Sequence, residues 1–459
     1  MKKLILSAVM GAMAFSSVQA QEIKPFKEGD RVVFLGNSIT DGGHYHSYIW
    51  LYYMTRFPEM RLTMFNGGIG GDTAYDMNKR LDNDIFSKDP SVLVVTFGMN
   101  DSGYFEYNGD NAKEFGEQKY RESIMNFENM VDRFKGLPDT RMVMVGTSPY
   151  DNFAQIPNDN FKDKNKTIQR IVDYQMATAD KYGWEHIDWN RPMEALNLRE
   201  QQADPSFTLC GTDRIHPDNH GHMVMAYLFL KAQGMAGKKV AGMEINGSKG
   251  KVISEENCQV SNVVKNGRTL SFDYLAEALP YPADTIAQGW NMSHPQAEAF
   301  NVVPFVEEMN QELLAVTGLK GDYKLYIDGE EIGTWSGKEL ADGINLAEIS
   351  LTPQYQQALA VMHLNERRWE LERQTREYVW CQHGFFQKRG LLNANNRHAI
   401  EVMDRDLESD GWMKMRRPVY AAMMHEPVRE AMQGQMDLLT DIIYSINKPV
   451  TRHFELVRQ

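Results

Sequence analysis

With 459 residues, 42% of them hydrophobic and 24% charged, the chain is longer than one ordinary domain and too apolar to be disordered in bulk. Its formal net charge of −13 argues against a nucleic-acid backbone or an anionic lipid surface as the main partner. The cysteines are Cys210, Cys258 and Cys381, too few for a disulfide scaffold and enough for at most one bridge.

Met1-Lys2-Lys3, the apolar run 4–15 and the small residues ending at Ala20 have the charged, apolar and small-residue regions of a secretory signal. Residues 1–20 are therefore expected to be removed and the mature chain exported, to the periplasm or beyond the cell. No later run approaches the roughly 18 apolar residues a membrane span needs, so no transmembrane segment is expected.

Arg31-Val32-Val33-Phe34-Leu35 is a short β-branched and apolar run of the kind that forms a buried strand, and Gly36-Asn37-Ser38 breaks it at once. Ser38 thus stands at a strand's carboxyl end, where parallel α/β sheets gather their ligand-binding groups. The following stretch, with His44, Tyr45 and His46, runs into a helix. His44 and His46 are candidate substrate contacts on the rim; no further His, Cys or carboxylate stands at a metal-ligand spacing from them.

Residues 60–65 read as the second strand. They feed the glycine-dense loop Asn66-Gly67-Gly68-Ile69-Gly70-Gly71-Asp72-Thr73 and then a helix over 73–85. A third strand, 91–97, ends in Gly98-Met99-Asn100-Asp101, followed by Tyr104 and a long helix over 113–134. A fourth, 141–145, ends near Tyr150, a further candidate contact; a helix over 160–182 and a short strand over 185–189 complete the series. Strands alternating with helices indicate βαβ units and a doubly wound parallel sheet flanked by helices. Asp213-Arg214-Ile215-His216 then supplies an acid and an imidazole, ahead of an apolar helix reaching Lys231.

Taken in this order, the Ser38, Gly71, Asn100 and Asp213/His216 blocks resemble those of the SGNH (GDSL-type) hydrolases, serine esterases and acylhydrolases, over roughly residues 30–231. The usual Gly-Asp-Ser is Gly-Asn-Ser here. The resemblance implies Ser38 as nucleophile, His216 as its general base and Asp213 as the acid that orients the imidazole. It also implies an oxyanion hole made of the backbone N–H groups of Ser38 and Gly71 and the side-chain amide of Asn100. A side chain at position 71 is expected to crowd the tetrahedral centre. No cofactor and no metal is required.

Beyond residue 239 the texture changes. Strands are expected at 260–264, 269–274, 313–317, 323–327 and 331–335, with Asp328-Gly329 as a hairpin turn. From 353 onward the chain is charged and helical. The expected organisation is a signal over 1–20, a hydrolase domain over 21–239, a β-rich module over 240–352 and a helical region over 353–459 packed back on the enzyme. The function expected is hydrolysis of a short acyl ester, acetyl above all, on a carbohydrate or small molecule. A lipase or thioesterase, and a catalytically silent carbohydrate-binding or scaffold protein, are the alternatives.

Overall fold

The computed structural model describes residues 23–289, 292–408 and 411–459; the signal pattern of residues 1–20 lies outside them. Strands β1 (Arg31–Gly36), β2 (Thr63–Gly68), β3 (Val92–Phe97), β4 (Arg141–Gly146) and β5 (Glu185–Asp188) form a parallel sheet in the order β2-β1-β3-β4-β5. Helices α1 (Ser38–Asp41), α2 (Tyr45–Arg56), α3 (Ala74–Arg80), α4 (Ala112–Phe134), α5 (Lys164–Tyr182), α6 (Asn190–Glu200) and α7 (Asn219–Ala232) belong to this domain.

Alternate strand residues enter opposite layers. Val32, Phe34 and Val94 pack with α2 and α7, whereas Val33, Leu35 and Val95 pack with α3 and α4, as the two-residue period of a strand requires. The strand order reverses between β1 and β3, which opens a crevice at their carboxyl ends. β2 begins three residues later than expected and takes in Gly67 and Gly68, paired with Leu35 and Gly36. A Cβ on Gly68 would lie 2.2 Å from the Asp41 nitrogen, so glycine lets the short helix α1 sit directly on β2. The helix expected over 73–85 breaks at Arg80, and Leu81–Ile85 continue as a π-helical turn.

The second unit has β6 (Ala241–Asn246), β7 (Lys251–Glu256), β8 (Cys258–Asn266), β9 (Thr269–Ala276), β10 (Glu312–Thr317), β11 (Asp322–Ile327), β12 (Glu330–Ser336), β13 (Ile344–Asn345) and β14 (Arg452–Arg458). They form two sheets, β13-β10-β6-β7 and β12-β11-β14-β9-β8. Ile245, Leu314, Phe272, Leu325 and Phe454 share the core between them. Asp328 and Gly329 have φ of +52° and +88°, the left-handed pair of a tight hairpin.

Two boundaries differ from the sequence reading. The chain's last strand, β14, is the middle strand of its sheet rather than part of a helical tail, because Phe454 and Leu456 alternate into the sandwich core. Between β9 and β10, α8 (Phe305–Met309) and residues Tyr281 and Ala299 pack into the hydrolase core instead of the β-rich one.

The remaining helices are α9 (Gly337–Asp342), α10 (Pro353–Trp380), α11 (Arg397–Asp406), α12 (Gly411–Met423) and α13 (Glu426–Ile446). α10 lies along the carboxyl end of β2 and is held by buried polar contacts. Arg376 donates to both oxygens of Asp84 at 2.7 Å and to the Gly68 carbonyl at 2.8 Å. Glu372 accepts from the Asn66 N–H at 2.8 Å, and the Trp369 indole donates to the Gly43 carbonyl at 3.0 Å. Each such group would be costly to leave unpaired, so together they fix the helix at one register.

Where β10 meets the start of α10, Glu312 is buried. One carboxyl oxygen accepts from the Tyr274 hydroxyl at 2.9 Å and from the Gln354 amide at 3.0 Å, while the other has no partner. Burial pushes this carboxyl up to about 7 from 4.5. An acid raised on folding stabilises fully below its unfolded value and loses that contribution as pH rises through the folded one, here about 3 kcal/mol by pH 8. Glu312→Gln removes the titration, so the variant should gain melting temperature relative to the parent between pH 5 and pH 8. Parallel melting curves for the two proteins across that range would contradict the assignment.

Candidate active site

Ser38 opens α1, immediately after β1. The cap of that helix is Asn37, whose side chain accepts from the Ile39 N–H at 3.0 Å, which leaves the Ser38 hydroxyl to other partners. It lies 2.8 Å from His216 Nε2, and His216 Nδ1 lies 2.6 Å from Asp213 Oδ2. The other oxygen of Asp213 accepts the backbone N–H groups of Ile215 and His216 at 2.9 Å each. Burial pushes the Asp213 carboxyl up, but the His216 hydrogen bond and charge outweigh it and hold the group below the usual carboxylate range.

Between acid and imidazole, Arg214 adopts a left-handed φ of +68°. Its side chain turns away from Ser38 and donates to the carbonyls of Asp151, Ala154 and Ile156 at 3.0, 2.8 and 3.0 Å. This anchor holds Asp213 and His216 on one face of their loop.

Asn100 follows β3. Its Nδ2 donates to the Asp72 carbonyl at 2.9 Å and its Oδ1 accepts from the Tyr104 hydroxyl. The loop carrying it is held from beneath. Asp101 accepts the N–H groups of Ala74 and Gly98 at 2.9 and 3.1 Å, and burial pushes its carboxyl up to about 6. Lys164, buried, donates to the Met99 carbonyl, the Ser102 hydroxyl and the Gly103 carbonyl at 2.7, 2.6 and 2.5 Å. Burial holds its ammonium well below the usual lysine range. Sequence reasoning missed both Lys164 and Arg214.

Gly71 has φ +87°, and a Cβ there would meet no protein atom within 4 Å. That backbone conformation by itself calls for glycine. Among the described residues neither the Ser38 nor the Gly71 N–H donates to a protein acceptor.

Ser38, Gly71, Asn100, Asp213 and His216 all border one cavity of about 480 Å³. Its opposite wall comes from the helical region: Arg373, Glu377 and Trp380 of α10, and Trp412, Met415 and Arg416 of α12. Asp41 and His222 line it from the hydrolase side. Burial, with Glu377 adding to it, pushes Asp41 up to about 6; burial holds His222 well below the usual imidazole range.

The expected substrate contacts lie elsewhere: none of His44, His46, Tyr104 and Tyr150 lines the cavity. His44 is fully buried, stacked on Trp369 at 3.7 Å and bonded to Glu366 at 3.0 Å. His46 is buried against the Thr40 carbonyl, and burial lowers its pKa to about 4. Tyr104 backs Asn100 as described, and Tyr150 is buried with its hydroxyl donating to the Asp159 carbonyl at 3.0 Å. The three cysteines are free and buried, so no bridge forms. Among the described residues no His, Cys, Asp or Glu side chains group as a metal site, and no helix is long and apolar enough to cross a membrane.

Residues 34–224 match the profile of the GDSL-like lipase/acylhydrolase family, and residues 359–448 that of the diltiazem deacetylase C-terminal helical domain. A solved structure of a gut microbial diltiazem-metabolizing enzyme is 67% identical, covers 96% of this chain and 100% of its own, and superposes with a TM-score of 0.94. The chain belongs to the GDSL-like lipase/acylhydrolase family. It is a carboxylic ester hydrolase.

Two less similar relatives match part of the chain. An acetylxylan esterase of Geobacillus stearothermophilus is 24% identical over 227 residues, 45% of this chain and 94% of that protein. An uncharacterized lipoprotein of Bacillus subtilis (strain 168) is 28% identical over 102 residues, 21% of this chain and 41% of that protein. The helical-domain match falls on α10 to α13, the helices that include those closing the cavity over the family's blocks.

Proposed function

We propose that the chain is an exported serine esterase that removes a short acyl group, acetyl above all, from an alcohol oxygen of a sugar or a compact small molecule. The observation that carries the mechanism is the unbroken hydrogen-bond path from Ser38 through His216 to Asp213. His216 takes the hydroxyl proton as Ser38 Oγ bonds to the acyl carbon. The N–H groups of Ser38 and Gly71 and the Asn100 amide receive the developing oxyanion. The acyl carbon–alkoxy bond then breaks and His216 returns the proton to the leaving alcohol; a water deprotonated by His216 next adds to the acyl carbon, the bond to Ser38 Oγ breaks, and His216 gives its proton back to Ser38 as the acid leaves.

A cavity of about 480 Å³ is of the size that takes a small molecule or a sugar residue. Trp380 and Trp412 beside Arg373, Glu377 and Arg416 suit a ring bearing polar oxygens, which supports the carbohydrate reading. An aromatic acetyl ester is the second reading, favoured by the relative that metabolizes diltiazem. The lipase alternative is tested by acyl length: kcat/KM for acetyl, butyryl and octanoyl esters of one alcohol should fall along the series. A rise with chain length would overturn the short-acyl assignment.

A further inference from the structure

Arg416 belongs to α12, far along the chain from the hydrolase blocks, yet it lines the same cavity as Ser38 and is only 7% exposed. Its guanidinium is held on two sides. Nε pairs with the Glu377 carboxylate at 2.6 Å, and the group lies 4.0 Å above the Trp380 ring. Both supports are themselves fixed: Glu377 also pairs with Arg373 at 3.1 Å, and the Trp380 indole donates to the Gly70 carbonyl at 3.0 Å.

What this clamp leaves over is the outer fork. Among the described residues neither Nη atom of Arg416 is hydrogen-bonded. Nη2 lies 4.0 Å, and Ser38 Cβ 3.9 Å, from the point a Cβ on Gly70 would occupy. The fork and the nucleophile therefore flank the same glycine loop, within the span of a small ester. Against the two arginines Arg373 and Arg416 the cavity lining sets four carboxylates, Asp41, Asp213, Asp218 and Glu377, so the site has no excess positive charge with which to demand an anionic ligand.

We propose that the Arg416 fork is the specificity group of this enzyme, binding an uncharged oxygen acceptor, a hydroxyl or carbonyl oxygen, on the alcohol part of the ester while the ring that carries it lies along Trp380 and Trp412. A guanidinium is suited to this task because its N–H groups point in fixed directions and its face stacks on aromatic rings. The helical region thus selects the alcohol, and the hydrolase domain supplies the chemistry. This assignment rests on Ser38 being the nucleophile.

The test uses the full chain and two probes of similar size, the monoacetate of a methyl glycoside and cyclohexyl acetate, which lacks the ring and hydroxyl oxygens. The selectivity ratio, kcat/KM for the first over the second, should fall by about 10–100-fold in Arg416→Gln, as expected when a hydrogen bond to a charged group is lost. Arg416→Lys keeps the charge without the fork and should show an intermediate fall, carried mainly by KM. Labelling of Ser38 by a fluorophosphonate, measured alongside, shows that each variant remains folded and armed. A ratio unchanged in both variants with Ser38 still labelled would overturn the role of Arg416 and leave the nucleophile standing. Undiminished turnover by Ser38→Ala would instead remove the nucleophile, and this assignment with it.

Discussion

Ser38→Ala should lower kcat on a chromogenic acetyl ester by about 10⁴–10⁶-fold, the range seen when a serine nucleophile is lost and only binding and oxyanion stabilisation remain. The side chain's hydrogen-bond partner is His216 Nε2 at 2.8 Å, and without the hydroxyl that imidazole has no proton to take. Stability should move by no more than about 0.5 kcal/mol, because the side chain is not part of a packed layer. Asn37, not Ser38, supplies the side-chain cap of α1. Fluorophosphonate labelling should vanish together with turnover. A folded Ser38→Ala protein that keeps parental turnover would place the nucleophile elsewhere.

The blocks of the candidate site were legible because each announces itself within a few residues. Ser38 and Asn100 both follow buried apolar runs ended by a glycine turn, and the parallel sheet then carries both to one edge. Asp213 and His216 are three residues apart and share a turn closed by their own backbone. The opposite wall of the cavity could not be read in this way. Trp380 reaches Gly70 and Arg376 reaches Asp84 across separations of 310 and 292 residues, and nothing local to either partner signals the other.

Proximity in sequence misled in the opposite direction. His44 and His46 stand close after Ser38, but the turn into α2 buries both, one against α10 and the other against α1. β14 was hidden by brevity: its alternation covers only 7 residues after a long helix, and its partners β9 and β11 lie far back in the chain.

Asn100→Ala should lower kcat by about 10²–10³-fold with little change in KM, the signature of a donor whose bond forms mainly in the transition state. The hydrogen-bond network fixes which way the amide points. Oδ1 accepts from the Tyr104 hydroxyl, whereas Nδ2 donates to the Asp72 carbonyl at 2.9 Å; a flipped amide would set two oxygens against each other. One N–H of Nδ2 is spent on that carbonyl, and the second remains for an oxyanion at Ser38. The loop should keep its shape without the amide, since Asp101 and Lys164 hold it through Gly98, Met99, Ser102 and Gly103. The effect therefore belongs to the donor and not to a collapsed turn. Steady-state kinetics on an acetyl ester, with a melting curve for each protein, separates the possibilities: a rise in KM at unchanged kcat would make Asn100 a substrate-positioning residue and leave the oxyanion to the two backbone N–H groups.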